Sequence, residues 1–140
     1  MGLPATKTFF NTKNIPEGKP IMLIWFDPNC KECQKETEHL LANMNSFRNV
    51  NIYMATSHNY SEVMVFYNHL RLDTCKNITV GIDKAQTIPR VYQKNSVPIT
   101  IVYDGEKKFK AGFEGLPDFN KLKESVSVAN ADAGKQVSTR

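Results

Sequence analysis

The chain is poor in cysteine, has one tryptophan, and lacks both a long apolar run and a block of like charge. Three cysteines in 140 residues cannot build a multi-bridge framework, so an apolar core has to hold the fold. No apolar stretch approaches the ~18 residues of a membrane span, and no signal-peptide core is present. The net charge of +4 is spread over lysines that sit among acids, such as Lys19, Lys31, Lys35, Lys84, Lys94 and Lys107. Without a basic block or aromatic-basic interleaving, there is no nucleic-acid surface to read. A second CxxC or an HxxxH pair is also missing. Cys75, His39, His58 and His69 are scattered, with His39 opposite the apolar stripe of its helix, so no four-ligand zinc set assembles.

Hydrophobic residues make up 41% and charged residues 23%, an ordinary balance for one globular domain able to bury roughly two-thirds of its unfolded surface. The Met1-Gly2 start suits a mature domain whose export signal or lipid anchor has been cut away. Met1-Gly2-Leu3-Pro4-Ala5-Thr6 also fits the myristoylation pattern, and Asn59-Tyr60-Ser61 and Asn77-Ile78-Thr79 are glycosylation sequons. Motifs this short occur at the rate composition supplies by chance.

Ile21 to Phe26 is continuously apolar and ends at Asp27-Pro28-Asn29, which reads as a central strand buried on both faces. The pattern then turns helical from about residue 31 to 46, with Cys33, Thr37, Leu40, Leu41, Met44 and Phe47 on one stripe. Asn49 to Thr56 is a second strand, Val63, Phe66, Tyr67 and Leu70 mark a second helix, and Ile78 to Asp83 is a third strand. A short helix at Ile88 to Gln93 leads to Asn95-Ser96-Val97-Pro98. Two strands, 99–103 and 107–111, then flank the turn Asp104-Gly105-Glu106 as a hairpin. A last helix carries Phe119, Leu122 and Val126 behind the N-cap Asp118. Strands separated by helices pair in parallel with right-handed crossovers, and the hairpin adds an antiparallel edge. The expected fold is α/β, a mixed sheet of about five strands with helices on both faces. One domain spans residues 1–128, with 1–6 flexible, and 129–140 form a polar, disordered tail.

FDPNCKECQKE, residues 26–36, places Cys30 and Cys33 where a parallel strand gives way to a helix. Open α/β sheets gather reactive groups along that edge. The free N–H groups and partial positive charge of a first helical turn favour a thiolate. Cys30, at the cap, is the exposed and activated thiol; Cys33, on the apolar stripe, is shielded. That asymmetry suits thiol–disulfide exchange, in which one sulfur attacks and the other resolves. A peroxidatic cysteine usually has threonine three residues before it, where Asp27 stands, and a Sco-like copper site wants three residues between its cysteines. Cys75, at the opposite edge of the sheet, reads as a bystander. Trp25, Met54, Phe66 and Tyr67 read as packing.

The strand, the CxxC, the amphipathic helix and Val97-Pro98 before a strand and hairpin resemble the thioredoxin fold. Over residues 7–128 they resemble the TlpA/ResA-type extracytoplasmic thiol–disulfide oxidoreductases. The resemblance implies Cys30 as attacking and Cys33 as resolving cysteine, Pro98 as a cis-proline facing the pair, and Val97 as a backbone partner for a bound peptide. Glu36 matches a glutamate that modulates thiol acidity in that group, where it would accept the Cys33 proton. An exposed helix glutamate is the competing reading of Glu36. Lys31 attracts the Cys30 thiolate, while Glu32 and Asp27 repel it. Two departures are plain: Ile24 replaces the buried aspartate of thioredoxin, and Asn29 replaces the usual tryptophan.

The implied function is exchange of a Cys30–Cys33 disulfide with cysteines of partner proteins, by a monomer without cofactor or metal that is served by an upstream redox partner. The implied location is extracytoplasmic, with the cytoplasm as the other option. A non-catalytic binding module and a peroxiredoxin-like peroxidase are the rival functions. Potentials in the superfamily span about −270 to about −120 mV, which leaves the direction of electron flow open.

Overall fold

A computed structural model describes residues 18–83, 86–93 and 96–138. The expectation of a flexible 1–6 lies outside them. Strand β1 (Ile21–Trp25) is buried along its whole length, as its two-faced apolar sequence requires. Helix α1 (Lys31–Ala42) follows, then a one-turn helix α2 (Met44–Phe47), strand β2 (Asn51–Thr56) and helix α3 (Tyr60–His69). A 3-10 turn at Leu72–Thr74 leads to strand β3 (Ile78–Ile82), and helix α4 (Thr87–Tyr92) precedes strands β4 (Ile99–Tyr103) and β5 (Phe109–Glu114). Helix α5 (Phe119–Ser138) closes the fold.

The five strands lie in the order β3-β2-β1-β4-β5. The three strands joined through helices pair in parallel, and β4 and β5 add antiparallel pairs. Period-two alternation sorts the strand side chains into two cores. Met22, Ile24, Ile52, Met54 and Val102 face a cluster filled from α1, α2, α3 and α5. Leu23, Trp25, Ala55, Ile99 and Ile101 face the other side, where Ile88 of α4 covers them. Helices therefore lie on both faces, and Trp25, Met54, Phe66 and Tyr67 are packing residues. Phe26 stacks on Phe66 with centroids 4.8 Å apart, which ties the end of β1 to α3.

Several boundaries differ from those the pattern predicts. The first helix stops at Ala42 rather than running to 46, because Asn43 takes over the local hydrogen bonding. Its N–H bonds to His39 and Leu40, and its amide donates to the His39 carbonyl at 2.9 Å. A side chain that satisfies its own neighbourhood competes with the helix; α2 then resumes and still buries Phe47. His39 does not face away from the protein. It stacks on Phe119 of α5 with centroids 3.6 Å apart.

The second hairpin strand begins at Phe109 instead of 107. Buried Asp104 accepts the N–H groups of Glu106 and Lys108 at 2.9 and 3.0 Å, and Lys107 turns left-handed at φ 67°. Together they lengthen the turn. Gly105 is required beneath it, since a Cβ there would sit 2.9 Å from the Gly18 carbonyl carbon.

Asp118 caps α5 as expected, accepting from Asn120 and Lys121 N–H at 3.0 and 3.3 Å. The helix does not give way to a tail at 129: it continues to Ser138, with Leu122, Val126 and Ala129 buried at helical spacing. No helix among the described residues is long and apolar enough to cross a membrane.

Both sequon asparagines are structurally engaged. Asn59 caps α3 by accepting from Glu62 N–H at 2.9 Å. The Asn77 amide donates to the Phe47 and Val50 carbonyls at 3.0 and 2.9 Å, fastening the segment between α2 and β2.

Candidate functional site

The sheet brings three loops to one edge. β1 pairs with β2 as Trp25↔Ala55, and Phe26 N–H extends that ladder to the Ala55 carbonyl at 2.9 Å. Residues 56–58 therefore lie beside the turn that follows β1. On its other side β1 pairs with β4 as Trp25↔Ile99, which puts Val97 and Pro98 beside the same turn. The Val97–Pro98 peptide is cis. Pro98 is buried, while half-buried Val97 packs against both cores.

The turn from Asp27 to Cys30 is closed by hydrogen bonds that its own residue types supply. Cys30 N–H bonds to the Asp27 carbonyl at 3.0 Å, and Asn29 N–H bonds to Asp27 Oδ1 at 2.8 Å. An Asx residue that accepts two positions along is a strong turn former. The Gln34 amide reaches back to the Pro28 carbonyl at 3.1 Å, anchoring the turn on α1.

Cys30 is the N-cap of α1. Its backbone is extended, and its Sγ accepts the Cys33 N–H at 3.2 Å. The sulfur thus stands where a serine or aspartate oxygen usually caps a helix, facing the free N–H groups and positive end of the dipole. Cys30 is half-buried and Cys33 is 1% exposed; both are free thiols. Burial drives the Cys33 thiol far above the ordinary cysteine range. Its hydrogen bond with Cys30 and the charges of Cys30 and Glu36 push the same way, while a hydrogen bond with the Asp27 backbone opposes them. Cys33 is therefore held as a thiol until something takes its proton.

Glu36 lies one turn along α1 from Cys33, on the same buried face, with 1% exposure. Thr100 Oγ1 of β4 donates to its Oε2 at 2.7 Å, and Oε1 has no hydrogen-bond partner among the described residues. Desolvation pushes the Glu36 carboxyl up to about 7, against the lowering effect of the Thr100 hydroxyl. A carboxyl so placed changes its protonation near neutral pH, one helical turn from the buried Cys33 thiol.

Lys31 and Glu32, on the first turn of α1, are exposed, where water and salt weaken their opposing effects on Cys30. Asp27 is more closely held. Its Oδ2 lies 3.2 Å from His58 Nε2, and His58 Nδ1 lies 2.8 Å from Glu62 Oε1. Cys75 stands half-buried before β3, at the other end of the sheet.

Sequence reasoning missed Thr100, His58 and Glu62. Thr100 is 64 residues from Glu36, and nothing local marks the pairing. The spacing of four between His58 and Glu62, across the cap Asn59, was the available signal for the other two.

No family model and no curated protein sequence matches this chain. Solved structures do. A secreted Mycobacterium tuberculosis disulfide oxidoreductase, described as homologous to E. coli DsbE, is 18% identical over 80% of this chain and 83% of its own, with a TM-score of 0.66. The thioredoxin domain of a thiol-disulfide oxidoreductase from Bacteroides vulgatus is 22% identical over 79% and 81%, at 0.62. StoA from Bacillus subtilis is 15% identical over 78% and 83%, at 0.60. The chain has the thioredoxin-like fold, with its paired cysteines at the strand–helix junction.

Proposed function

We propose that the protein is a thiol–disulfide oxidoreductase that exchanges a Cys30–Cys33 disulfide or dithiol with the cysteines of partner proteins. The observation that carries this reading is the helix-capping Cys30 Sγ beside a fully buried Cys33 thiol.

In the reducing direction, the Cys30 thiolate attacks one sulfur of a partner disulfide. A Cys30–partner mixed disulfide forms, the partner S–S bond breaks, and the departing partner thiolate takes a proton from solvent. Cys33 then gives its proton to the Glu36 carboxylate, and its thiolate attacks Cys30 Sγ. The second partner thiolate leaves and is protonated. The partner gains two electrons and the Cys30–Cys33 pair loses them. The same steps in reverse oxidise a partner dithiol.

Val97 and Pro98 line the edge beside Cys30, where the Val97 backbone would pair with an extended peptide carrying the target cysteine. Asp27, Lys31 and Glu32 set the charge around the attacking sulfur. An upstream redox protein would return the pair to its working state, and the compartment that suits such exchange is extracytoplasmic.

The test is capture of the intermediate. Cys33→Ser leaves no resolving thiol, so mixing it with insulin should accumulate an adduct linked through Cys30 and cleaved by dithiothreitol. No adduct, with Cys30 still readily alkylated, would exclude exchange; if the variant still held a partner non-covalently, a binding module would replace it.

A further inference from the structure

His58 lies on the working edge of the sheet but takes no part in the exchange steps above. Its main chain is fixed first: its N–H donates to Thr56 Oγ1 at 3.3 Å, at the end of β2. Asn59 then caps α3 through Glu62 N–H, which sets Glu62 one turn away on the side of the ring. The imidazole therefore sits between two carboxylates from different elements. Nε2 is 3.2 Å from Asp27 Oδ2 on the β1–α1 turn, and Nδ1 is 2.8 Å from Glu62 Oε1 on α3.

A neutral imidazole has one N–H and one lone pair, so it can donate to only one of the two carboxylates and turns a lone pair on the other. An imidazolium donates to both. The arrangement is complete only with two ring protons. Its Asp27 end reaches the redox pair directly, because the Asp27 carbonyl holds Cys30 N–H at 3.0 Å and its Oδ1 holds Asn29 N–H at 2.8 Å. The charged groups bonded to the ring are Asp27 from the turn and Glu62 from α3; Thr56, from β2, is neutral.

We propose that His58 is a positioning residue for the redox pair, clamping the Asp27–Cys30 turn to α3 when its ring carries two protons and releasing one side when it carries one. In the clamped state the imidazolium also offsets the Asp27 carboxylate, whose charge otherwise weighs against a thiolate at Cys30. The proposal rests on the reading of Cys30 as the attacking thiol, but its test needs no partner protein.

The experiment is the rate of Cys30 alkylation by iodoacetamide between about pH 5 and about pH 9, in reduced protein carrying Cys75→Ala so that Cys30 is the accessible thiol. At the acid end of that range the parent should react roughly two- to fivefold faster than His58→Gln, and the ratio should fall to one at the alkaline end, where an imidazole is neutral. Glu62→Gln removes one carboxylate while keeping a hydrogen-bonding group. It should flatten the pH dependence, because the Gln amide can donate to the lone pair of a neutral ring, and it keeps the test valid if His58→Gln does not fold. A ratio that does not change with pH, or a profile identical in parent and Glu62→Gln, overturns the clamp. Inactivity toward insulin together with the expected alkylation profile would reject the oxidoreductase reading and leave the clamp standing.

Discussion

Cys30→Ser should reduce insulin disulfides no faster than dithiothreitol alone, a loss of at least about 1000-fold in the protein's own contribution. The serine hydroxyl is not ionised at neutral pH and does not displace sulfur from a disulfide, whereas a thiolate does. The substitution also separates chemistry from folding. Cys30 Sγ caps α1 by accepting Cys33 N–H, and serine is among the best residues for that position. The variant should therefore unfold at the same temperature as the parent or slightly above it. Parent-level activity in Cys30→Ser would refute the assignment. Parent-level activity in Cys30→Ser together with its loss in Cys75→Ala would show that the distant cysteine carries the exchange instead.

Glu36→Gln should make the protein more stable at alkaline pH and a poorer enzyme. In the folded protein burial holds the Glu36 carboxyl at about 7, against an ordinary value of 4.5. Between those two values the folded chain keeps a proton that the unfolded chain has lost. The stability tied to Glu36 is thus fully present below about 4.5, falls as pH rises, and is gone above about 7. At about 1.4 kcal/mol per pH unit, the total is on the order of 3 kcal/mol. Glutamine stays neutral throughout and still accepts the Thr100 hydroxyl. Urea midpoints of parent and variant should nearly agree near pH 4.5 and separate in the variant's favour up to pH 8. Over the same range the variant lacks an acceptor for the Cys33 proton, so resolution of a mixed disulfide should slow by roughly 10²-fold. Parallel stability curves would mean that Glu36 does not titrate in this window, and unchanged resolution would assign the proton to solvent.

The parts of this molecule that were readable in the sequence are those set by local pattern. β1 was visible because a strand buried on both faces has to be apolar at every position, and Ile21 to Trp25 is. The placement of Cys30 at a helix start followed from Asp27-Pro28-Asn29 and the change of period after it. The two cores follow from the alternation along β1, β2 and β4. Contacts between distant segments were not readable. Glu36 could as well have been an exposed helix glutamate, and what decides otherwise is the Thr100 hydroxyl of β4, which comes within 2.7 Å only once the sheet is assembled. His39 looked polar-facing because its own helix says nothing of Phe119 on α5. The start of β5 was misplaced because a buried Asp104 and a left-handed Lys107 reshape the turn, and neither shows in an Asp-Gly-Glu turn signal. The continuation of α5 to Ser138 shows the same limit, since small polar residues read equally as helix surface or as tail.

The central claim is that Cys30 and Cys33 form a reversible two-electron couple. It is tested most directly by equilibrating the protein in glutathione buffers of graded potential and counting alkylatable thiols by mass. The expected result is one transition in which two thiols disappear together, mapped to Cys30 and Cys33, with a midpoint between about −270 and about −120 mV. Cys75 should remain alkylatable throughout. A chain in which Cys30 and Cys33 both stay alkylatable across the whole series, or in which Cys30 takes up only glutathione, would contradict the account.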